Sequence, residues 1–232
     1  MMLNYEDARA LVFQNVKPLE KYTRPLTESQ GLALSEDISA PHGMPSFDNS
    51  AVDGYAVQAA DLAEASTENP VLLKNLGFIS AGDSGDEQMS SGQCVQIATG
   101  APLPPEADTV VMVEDIKVEG SHVRFTQSIP EKENVRYQGE DISEGDVIIP
   151  AGTVIGPAQI ATLATFGYSQ VPVHHVPKVS IVSTGSELVD VAGEPQSGQI
   201  RESNRLMLAG MVKQESCELL TISMVPDLPQ VL

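Results

Sequence analysis

Between residues 54 and 125 no apolar run outlasts a β-strand before Gly or Pro interrupts it. Short β-branched runs occupy 71–79, 94–98 and 109–113, each of strand size. Residues 116–125 read as a hairpin turning at Glu119-Gly120-Ser121. This rhythm predicts a separate, antiparallel, β-rich lobe.

From Lys178 the pattern changes. KVSIVSTGSELV, residues 178–189, reads as an apolar strand, a Gly turn and the start of a helix. A second helix is expected over 203–214 and a second apolar strand over 217–225. Strand–helix–strand implies a parallel α/β unit. A doubly wound sheet needs more strands than the sequence to Leu232 supplies, so this α/β domain is expected to be incomplete.

Before the lobe, residues 4–19 read as a helix. Asn4 is placed to cap it, Glu6 and Asp7 suit its positive end, and Ala8, Leu11, Val12 and Val16 form one apolar stripe. Residues 25–38 are short and mixed, with a strand expected at 32–34. After the lobe, 146–155 read as a hairpin turning at Pro150-Ala151-Gly152. Gly156 and Pro157 then open a helix with Ile160, Leu163 and Ala164 on its buried face. Gly167 stops that helix, and a short strand follows at 171–174.

Charge narrows the partners. Thirteen Lys and Arg face 32 Asp and Glu, a net charge of −19, which makes nucleic acid and anionic membrane poor partners. Cys94 and Cys217 stand far apart outside any ligand motif and read as core thiols of a reducing compartment. The N-terminus lacks a charged, then apolar leader, and no run approaches the roughly 18 apolar residues of a membrane span. A soluble cytoplasmic protein is expected. With five Tyr, five Phe and no Trp, its core must come mostly from Val, Ile, Leu and Ala.

Four segments carry candidate chemistry. PSFDNSAVDGYAV, residues 45–57, packs two Asp, an Asn and a Ser into six positions before Gly54. These are turn residues, yet the apolar flanks would also hold Asp53 rigidly, as a site carboxylate requires. In QIATGAPLPPEADTVVMVE, residues 96–114, Gly100 permits close approach of a ligand and Thr99 offers a hydroxyl, although such loops commonly just turn. In VRYQGEDIS, residues 135–143, Arg136 precedes Glu140 and Asp141; the charges suit either a surface ion pair or a cation for phosphate and a carboxylate for metal. STGSEL, residues 183–188, lies at the C-terminal end of a predicted strand, where open α/β sheets bind ligands. Amide N–H groups of the expected helix would suit an anion there, and Glu187 would either complement its dipole or serve the site. The segment is neither GxGxxG nor a P-loop. The four His, at 42, 122, 174 and 175, fall outside every one of these segments and read as structural.

Taken in order, PSFDNSAVDGYAV, IATGAPLPPEADTVVMVE, VRYQGEDIS, IVSTGSELV and GQIRESN resemble the blocks of the molybdopterin molybdenumtransferase family, which includes the bacterial MoeA type and the E domain of gephyrin. The likeness runs from the first helix to the last residue. It implies a discontinuous, multi-domain α/β plus β fold with a β-rich lobe. Residues 1–24 with 40–47 and 139–176 would form a linker and dimerisation domain, 48–138 the lobe, and 177–232 with 25–39 an incomplete molybdopterin-binding α/β domain. The family's later Ser-Gly-Gly segment, its downstream Asp and Lys positions and its last domain have no counterpart here.

The resemblance implies Mg²⁺-dependent insertion of molybdate, the substrate, into adenylated molybdopterin with release of AMP, by a homodimer whose site is shared between protomers. It places catalytic roles on Asp53, Thr99, Asp141 and Glu187. Substrate binding falls on Arg136, Gly185, Ser186 and Asn204. Mg²⁺ would be held by Glu187 and Asp227, although the family's usual Asp pair here reads Asp227-Leu228. A non-catalytic scaffold and an inactive fragment of the enzyme are the alternatives; the chain alone is expected to be inactive, and residues 178–232 the least stable part.

Overall fold

The strand-sized runs of the lobe assemble into one six-stranded sheet. Its spatial order is Thr109–Met112, Gly54–Val57, Gln93–Ile97, Val71–Ile79, His122–Phe125 and Ile116–Glu119. The hairpin forms as expected: Glu119 pairs with His122 across Gly120-Ser121, and Gly120 takes φ +63°. One expectation is corrected. Val71–Ile79 and Gln93–Ile97 are parallel, so the sheet is mixed and not antiparallel. Residues 80–92 carry the chain back to the starting end, a connection of about the dozen residues a parallel pair requires.

This sheet explains the unbroken burial of Gly54–Val57. Tyr55 and Val57 join Leu62, Leu73, Cys94, Val111, Val123 and Phe125 in one cluster. Ala56, Ile79, Val95, Ile97 and Val110 form the other. Alternate residues of one strand thus feed two cores, as a pleat with period two demands. Val and Ile dominate, and Tyr55 and Phe125 meet edge-on at 6.5 Å.

The computed structural model describes residues 3–226. They fall in two compact units, Ser39–Val147 and Met1–Ile38 with Ile148–Leu232. In the second unit Lys21–Pro25 pairs antiparallel with Gln170–His174. Helix α2, Pro157–Thr165, starts with Pro157 in its first turn, buries Leu163 and is followed by Gly167 at φ +79°. The turn at Pro150–Gly152 is present, but its outgoing arm does not fold back as a hairpin. The N–H groups of Leu34 and Ile155 donate to the carbonyls of Thr153 and Leu32, so that arm runs beside 32–34. Residues 25–39 bury Leu26, Leu34 and Ile38 with Ile149, Ile155, Leu163, Val171 and Val173. Their core partners lie in 149–173, and Gly31 also comes close to Ser216, in the 177–232 segment on which the sequence reading packed them.

Helix α1, Tyr5–Asn15, is capped as expected: Asn4 Oδ1 accepts the Asp7 N–H at 2.9 Å. It stops short of Leu19 because Pro18 disfavours a helical Lys17, and Val16 is already extended. None of its residues is buried, and Leu11, Val12 and Val16 are exposed. The apolar stripe thus faces away from this chain's own core.

The α/β segment pairs Lys178–Thr184 with Glu218–Val225 in parallel, and helix α3, Asn204–Gln214, packs on both. The helix expected directly after Gly185 does not form. A turn at 185–187 leads into the short strand Leu188–Val189, parallel to Ile200–Arg201. Val189, Asp190 and Val191 are weak helix formers, and Gly193 and Pro195 follow too closely for a turn to propagate. Val182, Leu220 and Ile222 remain exposed on the two long strands. No described helix is long and apolar enough to cross a membrane.

Candidate functional site

In the Ser39–Val147 unit, Asp53 leads into the interior strand Gly54–Val57, which has a neighbour on both sides. Gly54 is dictated by space: a Cβ there would lie 2.2 Å from the Val111 carbonyl oxygen. The carboxylate of Asp53 turns to the surface, and one oxygen, Oδ1, accepts both the Thr99 backbone N–H (2.8 Å) and the Thr99 hydroxyl (2.9 Å). The N–H first, and then the hydroxyl, holds the Asp53 carboxyl below the usual Asp value. The Thr99 loop is itself tied down, since Gly100 N–H donates to the Ser50 carbonyl at 2.8 Å and Ser50 N–H to Ala101 at 3.0 Å. The sequence thus predicted two site residues that the fold places in direct contact.

Arg136 and Asp141 also meet, in a way that limits both. Arg136 Nε donates to Glu140 Oε1 at 2.9 Å, and its Nη2 donates to Asp141. Glu140, which also accepts the Tyr137 N–H, and then Asp141 raise the Arg136 pKa. Here the ion-pair reading of this segment holds, and a phosphate or metal would have to displace a partner. Asn49–Ser50 and Val135–Arg136 form a short antiparallel ladder. Asp53 and Asp141 follow its two strands, so they leave it at opposite ends.

In the other unit the 183–187 turn borders a cleft of about 380 Å³. Ile181, Ser183, Glu187, Ile200, Asn204 and Leu208 are among its walls. Glu187 and Asn204, distant in sequence, therefore share one cavity. Gly185 and Ser186 lie in the turn but not in the wall. Because no helix starts at Gly185, the anion-binding amides expected there are absent, and the helix end at this cleft belongs to α3. Asp227 lies outside the described residues. Among the described residues no three His, Cys, Asp or Glu side chains come together as a ligand set.

Sequence reading missed Glu202 and Arg205, which also line this cleft, and Asp190, which lies beside it. Glu202, buried, accepts the Arg205 N–H at 2.7 Å and Arg205 Nε at 2.9 Å. Arg205 Nη2 donates to Asp190. The signal available was a Glu two residues before the helix start in GQIRESN, where a carboxylate can satisfy free N–H groups. Among the His, Nδ1 of His174 lies 2.6 Å from the Leu19 carbonyl and His175 stacks on Tyr22 at 4.2 Å, both structural contacts.

Residues 3–167 match the family model described as the MoeA N-terminal region, domains I and II. The chain is 38% identical over 206 residues to the molybdopterin molybdenumtransferase of Bacillus subtilis, covering 87% of this chain and 48% of that protein. It is 34% identical to the Haemophilus influenzae enzyme of that name, over 97% of this chain and 55% of that protein. The crystal structure of a molybdopterin biosynthesis moeA protein from Pyrococcus horikoshii superposes with TM-score 0.91 at 32% identity, over 100% of this chain and 62% of that one. The chain spans about half the length of the curated relatives it matches.

Proposed function

Because the chain belongs to the molybdopterin molybdenumtransferase family, within its MoeA N-terminal region, we propose that it serves molybdenum cofactor biosynthesis at the step that inserts molybdate into adenylated molybdopterin and releases AMP. The observation that carries this reading is the Asp53–Thr99 pair. Of the blocks in the family resemblance, DNSAVDGYAV is the most specific. Its carboxylate is held ionised by two donors from a second block, IATGAP.

In this reading the Thr99 donors occupy Oδ1 of Asp53 and leave Oδ2 to accept from a donor group of the substrate or to hold a counter-ion of the reacting oxyanions. The cleft beside Glu187 and Asn204 takes the phosphate end of the adenylated pterin, with the Asn204 amide as a donor. Ile181, Ile200 and Leu208 supply its apolar wall. Arg136, shared by Glu140 and Asp141, is a cation that a substrate phosphate reaches by displacing one of its two carboxylates. Mg²⁺, when bound, would neutralise charge at the phosphoanhydride. Among the described residues it would find separate carboxylates, with no group of three ligands already assembled.

Homodimerisation belongs to the same proposal. The exposed stripe of α1, with Leu11, Val12 and Val16, is a surface of the kind subunits bury. A monomer by light scattering at high protein concentration would refute it. The site is tested by AMP release from adenylated molybdopterin in the presence of molybdate, using the protein as natively produced. Asp53→Asn and Glu187→Gln keep shape and remove charge. Both should abolish AMP release with folding nearly intact, and wild-type turnover in both would refute the assignment.

A further inference from the structure

The first turn of α3 contains a contradiction. Arg205 is the second residue of this helix, where the positive end of the dipole disfavours a cation. It is nevertheless largely buried, with its side chain 13% exposed. Glu202 resolves the conflict locally, because its buried carboxylate accepts both the Arg205 N–H and Nε. The remaining arm of the guanidinium reaches across to Asp190. Asp190 follows the strand Leu188–Val189, whose turn carries Glu187, and Glu202 follows the partner strand Ile200–Arg201. The Glu202 N–H donates to the Val189 carbonyl at 2.9 Å, and the Ile200 N–H donates to the Glu187 carbonyl at 3.0 Å. One guanidinium therefore ties together the segment bearing Glu187 and the helix bearing Asn204.

We propose that Asp190, Arg205 and Glu202 are positioning residues that hold the Glu187 and Asn204 walls of the cleft at the separation a bound phosphate ester requires. The proposal rests on the reading of this cleft as the substrate site. Planar, two-armed pairing is what Arg offers and Lys does not, so the geometry of the fork, and not charge alone, sets the cleft. Asp190 makes the claim testable because it does not line the cleft. A loss of binding on removing its carboxylate cannot come from a lost contact with ligand.

The test is amide NMR of the full chain titrated with AMP, at a temperature where every variant is folded. Amides of 39–147 serve as the folding reference. In the wild type, AMP should shift the amides of 183–187 and 203–205. Asp190→Ala should weaken AMP affinity about tenfold, the loss expected of one charge-assisted bond, while moving the Glu187 amide in the absence of ligand. Arg205→Met should weaken affinity at least as much, and Arg205→Lys should recover only part of it. A wild type without AMP-induced shifts in the cleft would overturn the substrate reading of the cleft, and the clamp with it. Wild-type shifts with unchanged affinity in Asp190→Ala would overturn the clamp alone, whether or not Arg205→Met folds.

Discussion

Replacing Gly54 with Ala should damage the lobe far more than the loss of two hydrogens suggests. The added Cβ would stand 2.2 Å from the Val111 oxygen, 2.8 Å from Val110 Cγ1 and 3.0 Å from the Val111 carbonyl carbon. Ordinary carbon contacts begin near 3.5 Å, so about 1 Å of movement is required. The nearest atom is backbone and cannot rotate away. Gly54 pairs with Met112 on one side and Ile97 on the other, so relief means parting the edge strand Thr109–Met112 from Gly54–Val57. Overpacking costs about 1–3 kcal/mol, and a backbone obstacle puts this case near the top. The better strand propensity of Ala offsets roughly 0.5–1 kcal/mol. A net loss of about 2 kcal/mol, at about 4 °C per kcal/mol for a unit of this size, lowers its midpoint by roughly 8 °C. Differential scanning calorimetry measures the shift. Gly210→Ala is the opposite control: its Cβ meets nothing within 4 Å and sits in α3, so it should stabilise by about 1 kcal/mol. A Gly54→Ala midpoint within about 2 °C of wild type would refute the steric reasoning.

The Asp53 carboxyl should titrate below the usual Asp value of 3.8 in carbon NMR, and Thr99→Val should raise its midpoint by removing the hydroxyl while leaving the stronger N–H donor. Its folded value is depressed, so its contribution to stability is complete above pH 3.8 and disappears as pH falls through the folded midpoint. Burial pushes the Cys94 thiol up to about 12, so a thiol reagent at pH 8 should leave it unmodified until the lobe unfolds, whereas Cys217, only half-buried, reacts first. Early modification of Cys94 in native protein would contradict the packing. Leu163→Ala, which empties a fully buried site under α2, should cost about 2–5 kcal/mol in denaturant melts. A loss below about 1 kcal/mol would mean that the cluster with Leu26 and Val171 does not close on it.

Much of this protein was legible one residue at a time. Asn4 caps α1, Pro157 and Gly167 bound α2, and Glu119-Gly120-Ser121 turns the hairpin, because caps and turns depend on a few neighbouring backbone groups. The parallel strands 178–184 and 218–225 and the helix between them followed from hydrophobic period alone. The segments holding Asp53, Thr99 and Glu187 were likewise legible as polar and turn residues beside apolar runs, whereas Asn204 came only with the family resemblance. What could not be read locally depends on partners distant in the chain. The parallel pairing of Val71–Ile79 with Gln93–Ile97 is decided by where 80–92 returns. The strand at Leu188–Val189 exists because Ile200–Arg201 comes alongside it, and α1 lies exposed because nothing among the described residues covers its stripe. Arg205 illustrates the same division. In sequence it is a misplaced cation at a helix start; only the fold brings Asp190 and Glu202 to it, because a charge is stabilised by what surrounds it in space. Sequence alone therefore determined most of the helices and strands, several of their caps and turns, and part of the candidate chemistry, which are properties of short-range backbone and side-chain preference. Tertiary structure alone decided strand pairing, burial and which site residues meet, because those depend on contacts between segments far apart in the chain.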